Sequence, residues 1–302
     1  MGPSGRVTKS NRPPAVLLTT WWCGREGVPQ RDNRRLRMIG VIGQYASGTL
    51  KRYVDEFSVT GLTSNPTIFD NAIDRNSWYD AEIRKQLDGG ASGEALFFNL
   101  AIQDLGRAAD LFLPIHERTG KVDGFVSLEV SPELAYDTKA TVAQAKMLHA
   151  KANRRNLFIK IPGTAEGLPA IEEAIFAGVP VNVTLLFSTA QYQVAADAYV
   201  KGLERRVAAG LSADVHSVAS LFVSRWDVAV TGKVSAELRD TLGMAVSRQA
   251  YKAYRDVLEC DRFSAWKTLA RGRNDCCSPA PVPRTRPRRT RFMSPVSRRQ
   301  TR

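Results

Sequence analysis

Asn156-Leu157-Phe158-Ile159-Lys160-Ile161-Pro162-Gly163-Thr164 is a short apolar run with one lysine set into it, closed by Pro162-Gly163. Its length and flanks predict a strand of a parallel sheet covered on both faces. A lysine there is costly to bury as an ammonium, and burial favours the neutral amine, which attacks carbonyls. The alternative is a lysine at a strand end whose head reaches water. The stretch alone leaves both open.

Working outward, similar apolar runs recur at intervals of about thirty residues, with amphipathic segments between them. Strands are predicted at 59–63, 124–130, 156–162, 180–187 and 217–224, with a sixth near 38–42. Helices are predicted at 47–57, 78–87, 94–116, 138–153, 166–177, 191–209 and, in one or two pieces, 234–259. Strand–helix repetition of this kind is the pattern of βα units. Polar residues recur at the carboxyl ends of the predicted strands: Thr63 and Asn65, Glu129, Lys160, Asn182 and Thr184, and Ser220 and Arg225. In a (β/α) barrel that end carries the active site, and five polar tips in succession favour a catalytic face over satisfied core. The turn at Thr63-Ser64-Asn65-Pro66 reads equally as a ligand-binding turn or as a helix cap.

At 302 residues, with 43% hydrophobic and 8% aromatic residues, the chain is expected to be soluble and globular. No apolar run approaches the roughly 18 residues of a membrane span, so no membrane partner is expected. The start lacks a convincing secretory signal, and the expected location is cytoplasmic. The net charge of +13 suggests nucleic acid until it is located. Residues 1–38 and 271–302 together hold eighteen of the 43 Lys and Arg and three of the 30 Asp and Glu, leaving the middle 25 bases against 27 acids. The basicity belongs to the ends, where Arg without interleaved aromatics gives salt-sensitive, unspecific binding, so no specific nucleic-acid partner is expected. Cys23, Cys260, Cys276 and Cys277 have neither zinc spacing nor a disulfide pattern, which fits a reduced compartment. Segments 1–38 and 271–302 lack sustained periodicity and are expected to be disordered tails flanking a barrel domain at 39–270.

Five stretches, taken in order, resemble the transaldolases: Leu62-Thr63-Ser64-Asn65-Pro66-Thr67-Ile68-Phe69, Val126-Ser127-Leu128-Glu129-Val130, Phe158-Ile159-Lys160-Ile161-Pro162, Val181-Asn182-Val183-Thr184-Leu185-Leu186-Phe187-Ser188 and Ala219-Ser220-Leu221-Phe222-Val223-Ser224-Arg225. The similarity runs from about 48 to about 265 and is nearest to the longer bacterial branch, which includes fusions to phosphoglucose isomerase. It implies an α/β fold of the (β/α)8 TIM-barrel class and transfer of a dihydroxyacetone unit between phosphorylated sugars in the pentose phosphate pathway. It also implies that Lys160 forms an imine with the ketose, while Glu129 and Thr184 position the water that carries protons. Asn65 and Asn182 would hold substrate hydroxyls; Thr63, Ser220 and Phe222 would line the pocket; Arg225 would bind phosphate. No metal or other cofactor is implied. The oligomeric state is left open.

Two departures stand out. The family's first-strand aspartate has no match near 36–44, where Asp32 is the nearest acid, in a different context. The family's last strands and phosphate motif are replaced by the Arg- and Pro-rich tail. Both ends look like unrelated sequence joined to a transaldolase middle, as a frameshift or mis-called start would give. The expected fold is therefore an incomplete barrel with unpaired edges near 217–224. A chain that turns over poorly, a non-catalytic remnant and a simple Schiff-base aldolase are the alternatives carried forward.

Overall fold

A computed structural model describes residues 16–20, 35–38, 48–75 and 77–262. It contains seven parallel strands: β1 (Val16–Thr20), β2 (Arg35–Met38), β3 (Val59–Thr63), β4 (Val126–Glu129), β5 (Leu157–Pro162), β6 (Val181–Leu186) and β7 (Ser217–Leu221). They form one sheet in the order β1-β7-β6-β5-β4-β3-β2. From β3 to β7 each strand pairs with the next in sequence, with helices between, as right-handed βα units require. The connecting helices are α1 (Thr49–Phe57), α2 (Pro66–Arg75), α3 (Asp80–Asp88), α4 (Gly93–Arg118), α5 (Thr138–Ala152), α6 (Gly167–Phe176), α7 (Thr189–Ala208), α8 (Ser224–Ala229) and α9 (Leu242–Glu259).

From β4 to β7 the residues alternate, up to a bulge late in β6. Val126 and Leu128, Leu157, Ile159 and Ile161, Val181 and Val183, and Ala219 and Leu221 join one core with Leu105, Phe112, Leu148, Ile171, Tyr192 and Leu203 of the helices. The intervening residues point the other way. There Phe125, Phe158 and Val218 form a separate apolar cluster. Above it lie Ser127, Glu129, Lys160, Asn182, Thr184 and Ser220. The period of 2 thus separates a helix-covered outer face from a mixed inner face.

The sheet is curled. A flat sheet would hold β4 and β6 roughly 9–10 Å apart, yet Asn182 Nδ2 donates to Ser127 Oγ at 3.1 Å across β5. The Phe125 ring, at the head of β4, lies 5.5 Å from that of His216, at the head of β7. The described residues therefore make an α/β structure of the (β/α)8-barrel type, open and incomplete, since β1 and β2 are not paired to each other.

Capping groups mark where two of the helices start. Asp137 Oδ1 accepts from Ala140 N at 2.9 Å to open α5, and Ser188 Oγ accepts from Gln191 N at 3.2 Å to open α7. At the opposite end of the sheet, Asn156 Nδ2 donates to the carbonyls of Ala109 and Gly124, both at 2.8 Å, tying α4 to the heads of β4 and β5. Gly124 has φ 80°, and a Cβ there would stand 2.4 Å from His116 N.

Three expectations are corrected. Segment 1–38 is not without regular structure, because Val16–Thr20 and Arg35–Met38 are strands; its other residues, and the tail 271–302, lie outside the described residues. β7 is not an unpaired edge, because β1 pairs with it along Val16↔Ser217 to Thr20↔Leu221 while β6 covers its other side. Edge amides and carbonyls accept any extended segment that reaches them, and Val-Leu-Leu-Thr-Thr is one of suitable composition. Of the strand expected near 38–42, Met38 closes β2 (Arg35–Met38), which begins three residues earlier and lies beside β3, while 39–42 lie outside the described residues. Among the described residues no helix is long and apolar enough to cross a membrane.

Candidate active site

β5 is buried along its whole length, and Lys160 is only 6% exposed. Its ammonium is not left among apolar walls. Nζ donates to Glu129 Oε2 at 2.6 Å and to the Ser64 carbonyl at 3.2 Å. Register explains the first contact: Glu129, Lys160 and Asn182 are consecutive partners across β4, β5 and β6, so their side chains stand side by side on the inner face. A buried charge needs such a partner, and the carboxylate is also within proton-transfer distance of the amine.

Asn182 is held at both ends. Its Oδ1 accepts from Ser220 Oγ at 2.8 Å, and its Nδ2 donates to Ser127 Oγ. Ser220, Asn182 and Thr184 are all buried.

Thr184 sits where β6 departs from regularity. The register with β7 shifts between Val183 and Leu186, and Leu185 has φ 58°. The Gly163 amide donates to the Thr184 carbonyl at 2.8 Å and pins the start of this bulge. Bulges re-aim side chains, and a leucine in the left-handed region stores strain of about 1–2 kcal/mol. Both features fall beside a residue expected to act on the substrate.

The turn after β3 serves two purposes. Asn65 Oδ1 accepts from Ile68 N at 2.8 Å and caps α2, with Pro66 in its first turn. The capping role of this turn is thus present. Thr63, in register with Ser127, is 2% exposed, and its Oγ1 has no hydrogen-bond partner among the described residues. A buried hydroxyl in that state is available to a ligand.

Phe222 and Arg225 lie beyond β7. The strand ends at Leu221 rather than near 224; Phe222 is half-buried, its amide donates to Leu186 O at 2.7 Å, and its ring lies 5.4 Å from that of Phe187. Arg225 is therefore on α8, not on a strand. It is exposed and makes no ion pair among the described residues. It shares the carboxyl end of the sheet with the lysine cluster without touching it.

Two participants carry little signal in the sequence. Ser64 contributes through its backbone carbonyl, and Ser127 through a contact that depends on sheet curvature. The serine in Val126-Ser127-Leu128-Glu129 was visible only as the residue two before Glu129, and hence on the same face.

The family model described as Transaldolase/Fructose-6-phosphate aldolase matches residues 42–275. A protein named Transaldolase 2 from Nostoc sp. is 39% identical over 241 residues, covering 74% of this chain and 62% of that protein. A Transaldolase from Arthrobacter sp. is 40% identical over 236 residues, covering 76% and 63%. One from Mycobacterium bovis is 42% identical over 230 residues, covering 73% and 62%. The chain thus spans less than two thirds of the length of these relatives. Since the matched span holds every strand from Val59 to Leu221 and the whole Lys160 cluster, the chain belongs to the transaldolase/fructose-6-phosphate aldolase family.

Proposed function

We propose that this chain performs transaldolase-type chemistry: Lys160 forms an imine with a ketose phosphate, such as fructose 6-phosphate or sedoheptulose 7-phosphate, and a dihydroxyacetone unit passes to an aldose phosphate. The observation that carries this is the Lys160–Glu129 pair, 2.6 Å apart at the carboxyl ends of adjacent parallel strands, with Lys160 buried and Glu129 half-buried. Imine formation needs a neutral amine and a group that takes and returns protons, and Glu129 is within reach of that task. Thr184 on the next strand would hold the water in the proton path. The imine nitrogen then draws electrons from the sugar's C3–C4 bond as it breaks.

Around this centre Asn182, Asn65, Thr63, Ser220 and Phe222 would bind the sugar, and Arg225 the phosphate, for which a guanidinium is suited. The proposed setting is the cytoplasmic pentose phosphate pathway. We take 39–270 as the main part of the barrel domain, which the matched span 42–275 supports, with β1 and β2 joining its sheet from the basic segment before it.

Cleavage also needs a base at the C4 hydroxyl. Strand β2, which flanks β3 on its far side, reads Arg35-Leu36-Arg37-Met38 and carries no carboxylate. An acid/base group typically contributes about 10²–10⁴-fold. The expected behaviour is imine formation with slow turnover. Borohydride reduction in the presence of fructose 6-phosphate should leave a reduced sugar adduct at Lys160, formed with loss of water and gain of two hydrogens, and Lys160→Ala should abolish it. Release of glyceraldehyde 3-phosphate with erythrose 4-phosphate as acceptor should be slow. An unlabelled Lys160 would refute the imine, and turnover at the rate of a full-length relative would refute the missing base.

A further inference from the structure

We propose that Ser127 is a positioning residue that fixes the plane of the Asn182 carboxamide and so presents one amide N–H to a hydroxyl of the ketose phosphate; this rests on the imine chemistry proposed for Lys160. A carboxamide has one acceptor oxygen and two N–H donors. In Asn182 the oxygen takes the Ser220 hydroxyl at 2.8 Å, and one N–H goes to Ser127 Oγ at 3.1 Å. Partners at opposite ends stop the amide from rotating about its last side-chain bond. One donor remains, on a residue paired in register with Lys160.

Ser127 is well placed to act as a fixed point. Its backbone carbonyl receives two hydrogen bonds from Ser64, from the amide at 3.3 Å and from Oγ at 2.8 Å. Ser64 in turn offers its own carbonyl to Lys160 Nζ. Ser127 is 3% exposed, so water does not compete for its hydroxyl. The serine–amide–serine chain spans β4, β6 and β7 and arches over β5 beside the lysine. Hydrogen bonds in such a chain polarise and strengthen one another away from water.

The test compares Ser127→Thr with Ser127→Val, which have nearly the same shape and differ in the hydroxyl. The first readout is borohydride trapping at Lys160 as a function of fructose 6-phosphate concentration. Ser127→Val should raise the half-saturating concentration about 10–100-fold, the range expected when a buried partner is left unpaired. Its limiting trapping rate should stay within about threefold of the unmodified protein, because Asn182 is assigned no part in imine formation. Ser127→Thr should restore most of the affinity. Equal affinities in the two variants, or a loss confined to the limiting rate, would overturn the proposal.

The second readout needs no substrate. The Asn182 side-chain amide signals, identified by their loss in Asn182→Asp, should exchange slowly with solvent in the unmodified protein and in Ser127→Thr. They should exchange at least tenfold faster in Ser127→Val. Identical exchange in both variants would sink the proposal. If the unmodified protein shows slow exchange but traps nothing at Lys160, the imine reading fails while the positioning of Asn182 stands.

Discussion

Glu129 stands opposite Lys160 in the register of two adjacent parallel strands, and its Oε2 lies 2.6 Å from the lysine Nζ. Glu129→Gln keeps the shape and a hydrogen-bonding group but removes the charge and the proton acceptor. Borohydride trapping at Lys160 should slow about 100-fold or more, the lower end of what a placed base contributes. An unchanged trapping rate would leave Glu129 a purely structural counter-ion.

A second prediction concerns a carboxylate far from the lysine. Asp104 on α4 is 1% exposed and accepts from Tyr79 OH at 2.7 Å; its Oδ1 has no hydrogen-bond partner among the described residues, with Arg107 Nη1 4.0 Å away. Burial pushes its pKa from 3.8 up to about 7, against the smaller opposing effects of the Tyr79 hydroxyl and of Arg107. In that window the folded protein holds a proton that the unfolded chain has lost. Asp104 therefore makes stability fall as pH rises from about 4 to 7, each pKa unit being worth about 1.4 kcal/mol. Buried His116 and half-buried His149, whose pKa values desolvation lowers, act oppositely and lose stability as pH falls below 6.5. Urea midpoints of Asp104→Asn and the unmodified protein should thus diverge by a few kcal/mol between pH 4.5 and 8, with the variant favoured at pH 8. Parallel pH profiles would contradict this.

Gly202 supplies a third. It lies in the middle of α7, where alanine is ordinarily worth about 1 kcal/mol more than glycine. Here an added Cβ would meet Glu172 O at 2.7 Å and Ile175 Cβ at 2.8 Å, both on α6. Gly202→Ala should therefore destabilise, by about 1–3 kcal/mol. A rise in thermal midpoint would show that the helices can move apart freely.

Asn156 gives the fourth. Its buried amide donates to two carbonyls, those of Ala109 and Gly124, and so joins α4 to the start of β4. Asn156→Ala should cost about 2–4 kcal/mol, read from chemical denaturation. A cost below about 1 kcal/mol would mean that water replaces the amide.

Much of the fold can be read from residue patterns alone, and the reasons are local. The runs around Leu62, Val126, Ile159, Val183 and Ala219 are apolar, short and punctuated, and each appears as a strand within a few residues of its expected bounds. The pairing of Glu129 with Lys160 follows from one polar tip per strand. What escaped depends on geometry that no residue type announces. Val16–Thr20 is a weak run whose partner lies far along the chain. Arg225 moved to a helix because β7 ends three residues early, at Leu221. The bulge at Leu185 puts a leucine at φ 58°, where residue preferences would never look for one. Ser64 acts through its backbone, and Ser127 needs the curl of the sheet to reach Asn182.

The two outermost strands differ in the distance at which they find their neighbours. β2 pairs with β3 only some two dozen residues later, whereas β1 pairs with β7 about 200 residues downstream. Closing the longer loop is the slower and entropically costlier event. A ribosome adding roughly 5–20 residues per second would expose Val16–Thr20 for at least about ten seconds before Ser217 is even made. One margin of the sheet can thus assemble during synthesis, while the other waits for nearly every other strand, with its own first segment accessible to chaperones throughout.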